Sequence, residues 1–281
     1  MAYRNVGALV VREWGVSSDP GILLWPGLGF SSTYFLASAS LLSGRAVAVD
    51  PPGFGRSPAP PAYSYEQLVG SAAEVVRVCD CRAMVGHSLG GDIALSVAAE
   101  PPSNLRAVVL VDGGYLEPAD AVELGMPGGS DRDEMVAYMR EHKARFADWE
   151  AARTALATLL ETEELTPALE VAFRETLTEV DGELRQTASP ELLTDALMPF
   201  MTEPFDVRAL ASRAAIPMLL IAVGLPSHVR STKQRAWEKF AALPPLIEVH
   251  VAEDWGHNPL LTAPNDCAAL INAWLSEYLS E

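Results

Sequence analysis

The sequence predicts an α/β protein with a mostly parallel sheet covered by helices on both faces. Short, strongly apolar runs alternate with helical patterns in the first and last parts of the chain. Residues able to carry chemistry follow directly after three of these runs. One run is joined to the next helix by a turn with glycine on both sides of a serine. Together these features favour a sheet whose carboxyl edge holds a functional site.

The first part of the chain contains five predicted strands. They are short, apolar and bounded by Gly, Pro or Asp, which is typical of buried strands. We predict them at residues 6–14, 21–25, 45–49, 82–85 and 106–111. Leu68, Ala72, Val75 and Val76 share one face of a predicted helix over 65–78. A second helix is predicted over 91–99, directly after the serine turn.

The composition changes at Gly113. Residues 113–205 carry 20 Asp and Glu against 7 Lys and Arg, and we find no convincing strand before Ile216. Helical spacing fits two apolar sets in this segment. These are Met135, Tyr138, His142, Phe146 and Trp149, and Leu169, Phe173, Leu177 and Val180. We therefore predict a core domain of residues 1–113 and 206–281, with a helical lid over 114–205.

The alternation of strands and helices resumes after the lid. We predict strands over 217–223 and 246–251, helices over 232–242 and 265–279, and a turn over 254–257. Ser88, Asp112 and His257 then all lie just after strands. Because parallel strands share one carboxyl edge, these three residues are expected at the same edge of the sheet.

The serine turn is Gly86-His87-Ser88-Leu89-Gly90, between an apolar run and a helical run. A turn this sharp needs glycine beside its apex, since a Cβ there would meet the strand or the helix. Ser88 would be held in a strained conformation, with its hydroxyl exposed next to helix amides. This arrangement is typical of a nucleophile.

The composition and the charge limit the classes of partner and cofactor that we expect. A formal charge of −17 makes nucleic acid a poor partner. The sequence has three cysteines, Cys79, Cys81 and Cys267, which we interpret as reduced thiols of a cytoplasmic protein. No secretion signal or spanning apolar run is found, so no membrane partner is expected. No metal or cofactor motif is present, and we predict a small-molecule substrate without a cofactor. The oligomeric state cannot be read from the sequence.

Over nearly its full length the chain resembles the α/β-hydrolase superfamily. The resemblance is carried by four motifs whose order and spacing are specific to the superfamily. They are residues 26–30, residues 50–57 (Asp-Pro-Pro-Gly-Phe-Gly-Arg-Ser), the turn at 86–91, and Gly256-His257. The resemblance implies an α/β-hydrolase fold with a lid, Ser88 as nucleophile and His257 as base.

The chain departs from the usual superfamily pattern in two places. Pro26 replaces a loop-shaping His, and the resemblance puts the oxyanion donors at Leu28, or Gly27, and Leu89. The loop 224–228 lacks the usual acid. Haloalkane dehalogenases and a group of lactone hydrolases place it after the strand that follows the nucleophile helix, which here implies Asp112. Asp254, a Ser–His diad and an inactive site remain alternatives.

These residues predict a serine hydrolase that cleaves an ester, lactone or thioester of a mostly apolar molecule through an acyl-enzyme. Two alternatives stay open: a carbon–carbon bond hydrolase or non-hydrolytic lyase or cyclase on the same fold, and a non-catalytic binding protein. Four side chains flanking the catalytic loops are candidate pocket walls: Trp25, Phe30, His228 and Trp255. We expect His87 to point away from the substrate.

Overall fold

The computed structural model describes residues 2–16, 19, 21–100, 104–128, 131–159, 165–202, 205–243 and 247–279. Within these residues, eight strands form one sheet in the order β1-β2-β4-β3-β5-β6-β10-β11. Their bounds are β1 Ala2–Val6, β2 Leu9–Trp14, β3 Gly21–Trp25, β4 Arg45–Asp50, β5 Cys81–His87, β6 Ala107–Val111, β10 Met218–Val223 and β11 Ile247–Ala252. Strand β2 is antiparallel to β1 and β4, and the other pairs are parallel. The predicted fold class is confirmed.

Helices cover both faces of this sheet. Helices α1 (Tyr65–Val78), α2 (Leu89–Ala99), α8 (Val207–Ala214) and α9 (Arg230–Ala241) share one buried apolar cluster with the sheet. On the other face, α10 (Pro259–Thr262) and α11 (Pro264–Leu279) share a second cluster. Successive residues of β3, such as Ile22 and Leu23, belong to different clusters, as side-chain alternation requires. The strands read as continuous apolar runs because both faces are buried.

The segment 114–205 contains helices and, in addition, a small antiparallel sheet. The helices are α3 Pro118–Glu123, α4 Arg132–Glu141, α5 Trp149–Leu159, α6 Pro167–Arg174 and α7 Pro190–Met201. Strands β7 (Arg145–Phe146), β8 (Leu177–Val180) and β9 (Glu183–Gln186) pair in the order β7-β9-β8. We call this segment the cap.

Three sequence interpretations were wrong in detail. Phe146 lies on β7 rather than on a helix, because α4 ends at Glu141. Leu177 and Val180 lie on β8 rather than on a helix, because α6 ends at Arg174. Strands of two to four mostly polar residues carry no apolar run to reveal them. The predicted strand over 6–14 is two strands, separated by a turn at Gly7 with φ 56°.

The three cysteines are buried and free of disulfides. None of the helices in the described ranges combines the length and apolar character needed to cross a bilayer.

Candidate active site

Ser88 stands at the apex of the turn between β5 and α2, with φ 53° and ψ −125°. A Cβ on Gly86 would lie 2.0 Å from the carbonyl oxygen of Gly90, and a Cβ on Gly90 would lie 2.2 Å from that of Trp25. Neither distance is sterically allowed. The two glycines therefore permit the left-handed conformation that lifts Ser88 off the sheet edge.

Asp112 follows the neighbouring strand β6 and also has a positive φ, 45°. The Ser88 amide donates to the Val111 carbonyl over 3.0 Å, and the Asp112 amide donates to that of Ile221 over 2.9 Å. A Cβ on Gly113 would lie 2.0 Å from the Ser88 carbonyl oxygen. Backbone contacts thus help to hold these two strained residues side by side.

The Asp112 carboxylate is buried and receives three hydrogen bonds. His257 Nδ1 lies 2.6 Å and Lys233 Nζ 2.5 Å from Oδ2, and the Tyr115 hydroxyl donates to Oδ1 over 2.9 Å. Burial by itself would raise the pKa of this carboxyl. The hydrogen bond from His257 and the positive charge of Lys233 outweigh burial and hold the pKa well below its usual range. Asp112 is therefore an anion at neutral pH.

His257 lies in the loop between β11 and α10, and its side chain is 44% exposed. Its backbone carbonyl lies 2.6 Å from His87 Nε2. A carbonyl can only accept, so Nε2 carries the proton of His87 and Nδ1 is left without a partner. Burial and the neighbouring His257 lower the pKa of His87 to about 3. His87, stacked on Tyr34, is thus a neutral support for the His257 loop.

The loop at residues 26–30 lies against Ser88. A Cβ on Gly27 would be 3.1 Å from Ser88 Cβ and 3.0 Å from His87 Nδ1, so glycine allows this close approach. Leu28 follows in the same loop, and Leu89 is the first residue of α2. Leu28, Ser88 and Leu89 line one cavity together, so the amides of Leu28 and Leu89 stay the candidate oxyanion donors.

Two cavities meet at Ser88, and Leu28 and His257 also line both of them. The large cavity is about 440 Å³ and includes apolar side chains of the cap. Its cap residues are Ala144, Phe146, Ala155, Leu156, Phe173, Thr176, Leu177 and Gln186. The small cavity is about 260 Å³ and is bounded mainly by apolar side chains around α3 and α7. Its charged or acidic lining residues are Asp92, Asp112, Glu117 and Lys233.

Asp92 is one turn into α2 and partly exposed to the small cavity. Its Oδ1 accepts the Gly114 amide over 2.9 Å. Burial raises the pKa of this carboxyl, and the hydrogen bond from Gly114 lowers it. Burial has the larger effect, and the pKa is about 8. Asp92 is therefore mostly protonated at neutral pH.

The structure brings Ser88, Asp112 and His257 to one edge, with Gly27, Leu28 and Leu89 beside Ser88. Phe30 lines the large cavity. Trp25, His228 and Trp255 line neither of the two cavities: Trp25 is core, His228 is exposed and Trp255 packs against the α11 face. Asp254 is exposed. Within the described ranges, no group of three His, Cys, Asp or Glu residues is arranged to hold a metal ion.

Sequence reasoning missed three residues: Lys233, Tyr115 and Asp92. Tyr115 follows Asp112 by three residues, and Asp92 follows Ser88 by four, so their proximity could have been found from local spacing. Lys233 is 121 residues from its partner Asp112. No local pattern signals a contact at that separation.

Several known proteins are similar to this chain in sequence. A profile described as the alpha/beta hydrolase family matches residues 22–270. "Putative carbamate hydrolase RutD" of Variovorax paradoxus is 33% identical over 106 residues, which is 35% of this chain and 40% of the relative. A "Serine hydrolase-like protein" of Danio rerio is 30% identical over 160 residues, 53% of this chain and 49% of the relative. The chain thus spans less than half the length of these curated relatives.

Solved structures resemble the whole chain. E-2-(acetamidomethylene)succinate hydrolase superposes with a TM-score of 0.71 at 22% identity, over 98% of both chains. An esterase of Mycobacterium tuberculosis superposes with a TM-score of 0.69 at 20% identity, over 98% of this chain and 91% of that one. At identities this low, the superpositions show that the fold is shared. With the profile match over most of the sequence, they establish that the chain belongs to the alpha/beta hydrolase family.

Proposed function

We propose that the protein is a serine hydrolase that cleaves a carboxylic ester, lactone or thioester of a mostly apolar small molecule through an acyl-enzyme. One observation carries the proposal. Ser88, raised on its strained turn, lines the same two cavities as His257, whose Nδ1 lies 2.6 Å from the buried Asp112 carboxylate. This is the order of hydroxyl, imidazole and acid that activates a serine.

The proposed reaction begins with attack of Ser88 Oγ on the acyl carbon. Because Asp112 accepts the proton of His257 Nδ1, Nε2 is free to take the Ser88 proton and return it to the leaving group. The amides of Leu28 and Leu89 would bind the oxyanion, and one such donor is worth about 3 kcal/mol of barrier. Water activated by His257 then releases the acid.

The cavity walls support an apolar substrate. Phe30, Leu156 and Phe173 line the large cavity, and no Asp, Glu, Lys or Arg is among its described lining residues. The net charge of −17 disfavours polyanionic substrates at the cavity mouth. The names of the relatives, a carbamate hydrolase and a serine hydrolase-like protein, are in keeping with acyl transfer to serine.

The test combines covalent labelling with turnover. A fluorophosphonate should label the wild type, and Ser88→Ala should lose both labelling and at least about 10⁴-fold of the kcat on p-nitrophenyl esters. The matched control is Ser71→Ala, on α1 and outside both cavities, which should behave as wild type.

Two outcomes contradict the proposal. A folded wild type that resists labelling favours a binding protein. A labelled wild type that turns over no ester, lactone or thioester favours carbon–carbon bond cleavage or a lyase reaction.

A further inference from the structure

The Asp112 carboxylate is shared between two nitrogen atoms of different elements. His257 Nδ1, from the loop after β11, and Lys233 Nζ, from α9, lie 2.6 and 2.5 Å from the same oxygen, Oδ2. The Lys233 and Asp112 side chains are 8% and 0% exposed. The contact between Lys233 and the proposed acid is therefore a buried ion pair of the site rather than a surface ion pair.

Lys233 reaches this position from the segment where most superfamily members carry their acid. Helix α9 follows the loop 224–228, which contains no carboxylate. The acid is instead on β6, and the segment after β10 supplies a cation to it. Lys233 is the only Lys or Arg among the described residues that line the small cavity.

The shared oxygen has an electrostatic consequence. Two nitrogens bound to one oxygen at these distances lie within about 5 Å of each other, so a protonated His257 would face a like charge at short range. Asp112 stabilises the imidazolium, and Lys233 opposes that stabilisation while holding the carboxylate in place. The Asp112–Lys233 pair therefore stabilises the imidazolium less than Asp112 alone would.

We propose that Lys233 is a positioning residue of the hydrolase reaction: acting through Asp112, it weakens the hold of the His257 imidazole on a proton. His257 is then neutral, and able to take the Ser88 proton, at a lower pH than Asp112 alone would allow. The inference rests on the proposed function. When the tetrahedral intermediate collapses, the bond from the acyl carbon to the leaving oxygen or nitrogen breaks. The proton of His257 Nε2 moves to that atom, which leaves acyl-Ser88 and a neutral alcohol or amine.

The other titratable groups facing the cluster do not replace this cation. Burial and the Asp112 anion raise the pKa of Tyr115, so it stays neutral. Asp92, with a pKa of about 8, and Glu117, whose pKa burial raises, are acids in the same cavity. His87, whose ring centroid is 4.8 Å from that of His257, is neutral above about pH 3.

The first experiment follows the imidazole directly and needs no substrate. An NMR titration of His257, assigned with His257→Gln, is compared between wild type and Lys233→Met. We expect the midpoint to rise by about one to two pH units when the charge is removed. Lys239→Met is the matched control on the same helix, and this exposed lysine should leave the midpoint unchanged.

The second experiment follows kcat/KM for one p-nitrophenyl ester against pH. Activity on the acid side is lost when the free imidazole is protonated, so Lys233→Met should move this acid limb to higher pH by about one to two pH units, as in the titration. On the plateau above the limb, kcat/KM should not fall, because a stronger base stabilises the imidazolium character of the transition state. A purely structural role would lower the plateau and leave the limb in place.

The outcomes separate the two proposals. A midpoint unchanged within about 0.2 pH units in a folded Lys233→Met overturns the role of Lys233, whatever the activity. An acid limb of kcat/KM that stays in place in Lys233→Met overturns the role of Lys233 in the reaction. Failure of fluorophosphonate to label the wild type contradicts the hydrolase, while the titration still reports the Lys233 effect. If Lys233→Met does not fold, Lys233→Gln keeps a donor to Asp112 without charge and must show the same shift.

Discussion

The two cavities beside Ser88 differ in the cap elements and in the charges that line them. The large one takes its cap wall from β7, α5, α6 and their neighbours, and no Asp, Glu, Lys or Arg is among its described lining residues. The small one lies among the cap helices α3 and α7 and the sheet edge, and its lining includes Asp92, Asp112, Glu117 and Lys233. Charged side chains therefore line one of the two cavities and not the other. A change in β7, α5 or α6 is expected to alter what is bound without changing the surroundings of Asp112.

The largest expected effect comes from removing the negative charge of Asp112. Asp112→Asn should lower kcat about 10⁴-fold for every ester, because the amide favours the wrong His257 tautomer. Steady-state kinetics on esters of different size measure this loss. Asp254→Asn, at the exposed alternative acid, is the control and should keep the wild-type rate. A normal rate for Asp112→Asn would move the acid elsewhere.

A pair of cavity-filling variants sharpens the comparison. Ala155 lines the large cavity and Ala121 the small one. Ala155→Phe should lower kcat/KM about tenfold or more for esters enlarged on one side of the scissile bond. Ala121→Leu should have the same effect for esters enlarged on the other side. The measurement is an ester series varied separately in its acyl and alcohol parts. If both variants affect the same part, the cavities do not divide the substrate.

The last expected effect concerns stability rather than rate. The folded pKa of Asp92, about 8, lies above its ordinary value of 3.8, so between these pH values the folded state retains a proton that the unfolded state releases. Wild type should therefore lose stability relative to Asp92→Asn as pH rises from about 4 to 8, by at most about 1.4 kcal/mol per pH unit.

Urea unfolding at several pH values measures the difference between wild type and Asp92→Asn. Glu277→Gln, at an exposed acid on α11, should show no comparable trend. A constant difference across this pH range would mean that Asp92 is already ionised in the folded protein.

Much of the core could be predicted because its signals are local. Helix α1 was predicted with its observed bounds, 65–78, and β3 with its bounds, 21–25. The turn at Ser88 was predictable because steric exclusion at Gly86 and Gly90 depends only on neighbouring backbone. The proximity of Asp112 and His257 followed from the rule that parallel strands share one carboxyl edge.

The remainder depends on contacts that no local pattern encodes. The small cap sheet is too short and too polar for periodicity to reveal, and helical spacing misplaced Leu177 and Val180. The partner of Asp112 on α9 required the tertiary fold. Trp25 was a candidate wall because it precedes a catalytic loop, but strand alternation points it into the core. The assignment of Ser88, Asp112 and His257 as catalytic stays a prediction.

The hydrogen bond from His87 to the His257 carbonyl joins the end of β5 to the loop that carries His257. A pKa of about 3 means that this brace does not change charge over the range in which an ordinary imidazole titrates. The side chain that supports the His257 loop therefore stays neutral in this range, although it is also an imidazole. A loss of activity between about pH 5 and 8 would therefore not arise from a change of charge at His87.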